Sequence, residues 1–79
     1  MNDIELTNRV IDFLNKELIS NLSTVRRLTA QEIAAKVGGY APSVGRCSDA
    51  ILSELLTRGH SIRYDNSSNP KCFVLNSLS

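Results

Sequence analysis

The sequence predicts a small α+β domain, mostly helical, with three helices followed by a C-terminal β-hairpin. Three features carry this reading. Apolar residues recur at helical spacing through the first twenty or so positions. Residues 28–59 hold a capping signal, a glycine pair, a second apolar-periodic run and a closing glycine. Two short β-compatible runs then flank a polar turn that contains proline.

The first helix is expected over roughly Asp3–Asn21, within an N-terminal segment 1–22. Ile4, Leu6, Val10, Ile11, Phe13, Leu14 and Leu18 spread over about half its circumference, more than one core contact uses. Part of that arc closes the core. The remainder, Leu6, Val10 and Phe13, is the expected contact with a second subunit, unless the hairpin or the C-terminal tail covers it. In the segment that follows, Val25–Leu28 is expected to form a brief strand beside the hairpin. Arg26 and Arg27 would then lie near its exposed end as phosphate anchors.

Residues 29–59 form the expected helix–turn–helix. Thr29 and Glu32 stand at capping-box spacing, in which the hydroxyl and the carboxylate satisfy each other's free backbone donors. Ile33 and Val37 make one apolar ridge, Ala34 and Ala35 permit close approach, and Gly38-Gly39 ends the helix. Pro42 suits the start of the next helix, with Ser43 as the rival N-cap. At roughly 100° per residue, Val44, Ser48, Ile51, Leu52 and Leu55 share one side, with Leu56 at its edge. Arg46, Asp49, Ala50, Ser53 and Thr57 point away from it, a small polar face with one arginine. Such a face fits a DNA major groove, where arginine reads guanine, but an ordinary solvated helix has the same composition. Gly59 closes the helix at about residue 58.

Residues 61–76 read as the hairpin. Ile62 and Tyr64 alternate with Arg63 and Asp65, while Phe73 and Leu75 alternate with Cys72 and Val74, leaving the inward side of the second strand open. The tip, Asn66, Ser67, Ser68, Asn69 and Pro70, runs into Lys71. Flanked by Arg63 and Lys71, it suits phosphate or minor-groove contact, although turns favour these residues anyway.

Helix, turn, helix, hairpin is the order of a winged helix-turn-helix module. On the runs LTAQEIAAKVG, ILSELLTRG and SIRYDNSSNPKCFVLN, the chain resembles the winged helix-turn-helix DNA-binding domains of small prokaryotic and phage transcription regulators. The resemblance implies a recognition helix at about 43–58 in the major groove, presenting Ser43, Arg46, Asp49, Ala50 and Ser53. It implies a wing, 66–71, along the DNA backbone. Lys36 and Tyr40, beside the turn, join the expected DNA contacts. Two positions depart from the family pattern: the turn Gly38–Ala41 is slightly long, and Gly45 weakens the first turn of the recognition helix.

Seventy-nine residues make one domain with a small core. The net charge is only +1, low for a nucleic-acid binder. Its distribution is uneven: residues 1–25 carry −2 and residues 26–79 carry +3. A monomer with few phosphate contacts binds DNA weakly, so the expectation is a homodimer on double-stranded DNA. A competing expectation is a winged-helix module that binds a polymerase or regulator protein without touching DNA.

Catalysis is not expected. The one histidine, His60, follows a helix-ending glycine, and no acid, cysteine or histidine spacing suits a metal. No cofactor, small-molecule ligand or membrane partner is expected, and the location expected is the cytoplasm, or a host cytoplasm for a viral chain. Cys47 and Cys72 are expected as reduced, small core residues, with a redox link between them as the alternative.

Overall fold

The computed structural model describes residues 1–77. In chain order it contains α1 (Asp3–Ser20), β1 (Arg26–Thr29), α2 (Ala30–Val37), α3 (Ala41–Arg46), α4 (Ser48–Thr57), β2 (Ile62–Asp65) and β3 (Cys72–Leu75). The strands form one antiparallel sheet in the order β1-β3-β2. The last strand is therefore central, between a hairpin partner and a strand from before the helix pair.

Local chemistry accounts for the boundaries. Asn2 caps α1 by accepting from the Glu5 amide at 2.8 Å. The expected capping box opens α2: Glu32 N–H donates to Thr29 Oγ1 at 3.1 Å, and Thr29 N–H donates to Glu32 Oε1 at 3.0 Å. After α2 the chain turns against α1, where a Cβ on Gly39 would stand 2.5 Å from Leu6 Cδ1. A side chain there would have to push the Leu6 methyl aside. Gly59, at φ +89°, ends α4, and the His60 amide reaches back to the Leu55 carbonyl at 3.1 Å. At the end of β3, Asn76 Nδ2 donates to the Leu18 and Asn21 carbonyls at 3.2 and 3.0 Å, tying off the last turn of α1.

The expected brief strand is present, one residue later than expected, at Arg26–Thr29, paired from Arg26 with Leu75 to Thr29 with Cys72. The expected single helix over about 43–58 is two helices. It begins at Ala41 with Tyr40 as N-cap, and it breaks at Cys47, whose backbone lies at φ −91°, ψ 7°. The break is one residue wide, because Cys47 N–H bonds the Ser43 carbonyl and Ile51 N–H bonds the Cys47 carbonyl. Gly45, two residues before the break, is a weak helix former, and Tyr64 Oη would be in ordinary contact, 3.4 Å, with a Cβ there.

The core is one cluster. Leu6, Val10, Ile11, Leu14 and Leu18 of α1 meet Ile33 and Ala34 of α2, Val44 of α3, Ile51 and Leu55 of α4, and Ile62, Phe73 and Leu75 of the sheet. The Tyr64 and Phe73 rings pack against each other across β2 and β3, tilted by 52° with centroids 4.7 Å apart. Leu6 and Val10, expected to meet a second subunit, are 3% and 0% exposed and belong to this cluster, with Phe13 packed at its margin. They are used up inside the domain because α1 lies against α2, α3 and α4 together and so buries a wide arc.

Candidate nucleic-acid interface

The outer side of the helix pair is made by α3 and α4. Asp49, Ala50 and Ser53 are exposed there, as is Tyr40 at the start of α3 and Lys36 in the last turn of α2. Ser43 is not part of that face. It is 9% exposed, and its Oγ accepts from Arg46 Nη2 at 3.1 Å. An N-cap at Tyr40 instead of Ser43 rotates Ser43 inward, so it supports the arginine from beneath.

Arg46 has a second partner that its local sequence does not reveal. Its Nη2 donates to both carboxylate oxygens of Asp3, at 3.0 and 3.3 Å, across forty-three residues of chain. The bond to Asp3 raises the guanidinium pKa further above its usual range. Asp3, Arg46 and Asp49 line one groove, so two carboxylates accompany this arginine. Behind the pair, Ile4, Thr7 and Asn8 of α1 face Cys47, Asp49 and Ala50 across an open groove.

The sheet carries the opposite charge balance. Strand alternation places Arg27, Val74 and Arg63 in one row on the outer face, with Thr29, Cys72 and Asp65 in the next. Val74 is 1% exposed although it faces outward, because it lies between two long arginine stems. Arg26 alternates to the inner side, where it forms an ion pair with Glu17 of α1 at 2.5 Å. It therefore does not share the exposed end of β1 with Arg27, as the sequence suggested.

Asp65 organises the hairpin. Its Oδ1 accepts from the Ser67 hydroxyl at 2.7 Å and the Ser67 amide at 3.0 Å, and its Oδ2 accepts from Arg27 at 2.9 Å. The Ser67 hydroxyl first, and Arg27 next, hold this carboxyl far below the usual carboxylate range. Arg63 stands 4.0 Å from the same carboxylate. Ser68 turns inward, its hydroxyl bonding the Asp65 and Pro70 carbonyls. Asn66, Ser67, Asn69 and Lys71 are exposed at the tip.

Arg27 also donates to Cys72 Sγ at 3.3 Å, and its pKa is raised, mainly by the bond to Asp65. Cys72 is buried and Cys47 half-buried, and both are free thiols. Sequence reading missed the roles of Asp3 and Asp65. The second was accessible, since Asp-x-Ser is an Asx-turn signature; the first, a contact between distant segments, had no local signal.

Among the described residues, no cluster of histidine, cysteine and acidic side chains could hold a metal ion, and no helix is long and apolar enough to cross a membrane. No protein-family model, curated protein or solved structure matches this chain.

Proposed function

We propose that this chain is a winged-helix module of a small transcription regulator that binds double-stranded DNA as a pair of copies. In this reading α2, α3 and α4 form the helix–turn–helix and the β2–β3 hairpin is the wing. One observation carries the reading. The element order α1-β1-α2-α3-α4-β2-β3, with sheet order β1-β3-β2, joins an exposed small-residue helix face to a basic hairpin in one domain. Asp49, Ala50 and Ser53 are slim enough for a major groove, and Arg27, Arg63 and Lys71 supply backbone contacts. Arg46 reads a base once Asp3 releases it. The module has no catalytic step.

The test is an anisotropy titration of the full chain with random-sequence duplex, at several salt concentrations, beside Lys71→Ala and Arg46→Ala. Affinity that falls with salt and weakens in both variants supports the reading. No binding at low salt by the folded chain overturns it.

A second reading has its own observation. With Asp3 and Asp49 around Arg46, the helix face has no net positive charge, and the groove of Ile4, Thr7, Cys47 and Ala50 beside it is partly apolar. A helix of a regulator or polymerase subunit fits such a groove without DNA.

A further inference from the structure

We propose that the outward face of α1 is a self-complementary dimerisation surface, pairing two copies of this chain antiparallel about a two-fold axis near the middle of the helix. The inference deepens the part of the proposed function that pairs two copies, and it is tested without DNA, so either can fail alone.

The face is built by charge order. Glu5, Arg9, Asp12 and Lys16 are all exposed, and at 100° per residue they fall within about 60° of one another. Along the helix their signs run minus, plus, minus, plus. Two such helices side by side in the same direction set like charge on like. Reversed about a point between Val10 and Ile11, Glu5 meets Lys16 of the second copy and Arg9 meets its Asp12, each twice by symmetry. The same axis sets Ile19 of one copy against the start of α1 of the other.

Two observations separate this from an ordinary solvated helix stabilised by pairs four residues apart. Among the described residues neither Asp12 nor Lys16 has an ion-pair partner, although their spacing allows one; Glu5 and Arg9 pair with each other at 3.6 Å, and Arg9 stands 3.4 Å from the Val37 carbonyl. Ile19 is 56% exposed and lies within about 20° of the charged stripe. Intrahelical pairing does not explain this bare isoleucine. A second copy covers it, and the charge order fixes its direction.

The experiment is sedimentation equilibrium of the full chain without DNA, from micromolar to millimolar protein, at about 0.05 M and about 0.5 M salt. Wild type is expected to self-associate as a dimer that weakens at the higher salt. Glu5→Lys and Lys16→Glu each oppose like charges twice across the axis, and each is expected to raise the dissociation constant about tenfold or more, or about 1.4 kcal/mol. The double variant Glu5→Lys/Lys16→Glu restores opposition and is expected to return to within about threefold of wild type. Residues 5 and 16 lie about 16 Å apart along one helix, so rescue must come from another copy. Ile19→Ser, which changes no charge at an exposed position, is expected to weaken the dimer, with circular dichroism establishing that every variant is folded. A chain monomeric at all concentrations, or a double variant as weak as the singles, overturns the proposal.

Discussion

Removing Lys71 tests whether the hairpin holds nucleic acid by its charge. Four exposed cations lie on or beside the wing and turn: Lys36, Arg27, Arg63 and Lys71. Each phosphate they neutralise releases condensed counterions, so four contacts give a slope of about −3.6 in log affinity against log salt for each copy bound. Between 50 and 200 mM salt that slope is a loss of about 150-fold. Lys71→Ala removes one contact, so the slope falls to about −2.7 and the loss over the same range to about 40-fold. Lys71 is exposed and makes no ion pair among the described residues, so the variant is expected to leave the fold intact and to read the contact alone. Fluorescence anisotropy on a labelled random-sequence duplex measures both slopes. A wild-type slope shallower than about −1, or a Lys71→Ala slope equal to wild type, refutes the reasoning.

Two predictions concern the fold that carries this surface. Leu14 is completely buried among the core side chains of α1, so Leu14→Ala is expected to cost about 2–5 kcal/mol. That is much of the margin of a domain this size, and urea unfolding by circular dichroism should show a midpoint well below that of wild type. The second prediction is pH dependence from Asp65. Because its folded pKa is depressed, its stabilising contribution is full above the usual carboxylate value and is lost as the pH falls below about 4 toward the folded value. Asp65→Asn is therefore expected to melt below wild type at neutral pH, with the gap closing in acid; a gap that holds constant contradicts the hydrogen-bonded role of the carboxylate.

The elements defined by local chemistry were legible in the sequence. The capping box at Thr29 and Glu32, the glycine that closes α4 and the polar hairpin tip each rest on interactions within a few residues, and each lies where spacing indicated. Assignments that depended on distant packing fared worse. Leu6 and Val10 were spare apolar surface only while α1 was imagined against a single neighbour; three helices pack on it. Ser43 turned inward because the helix start moved to Tyr40, a shift of a few residues that rotates a side chain by most of a turn. Arg26 and Arg27 read as one pair, but strand alternation sends the first to Glu17 and the second to Asp65. The both-sided apolarity of β3, ambiguous by sequence, follows from its central place between β1 and β2.

The contact between Arg46 and Asp3 makes the two proposed functions separable by one substitution. A DNA-reading Arg46 must exchange the Asp3 carboxylate for a base edge or phosphate, so the ion pair competes with DNA. Both side chains are more than half exposed, which makes the pair easy to open in water. Asp3→Asn removes the competitor and one negative charge, and is expected to raise duplex affinity several-fold. In a protein-binding module the pair instead forms one end of the groove between α1 and α4, and the same substitution loosens it. The generic effect of removing a negative charge is measured in an Arg46→Ala background, where Asp3→Asn should add little. If Asp3→Asn strengthens binding equally with and without Arg46, the competition is absent and Arg46 is not the residue that enters the groove.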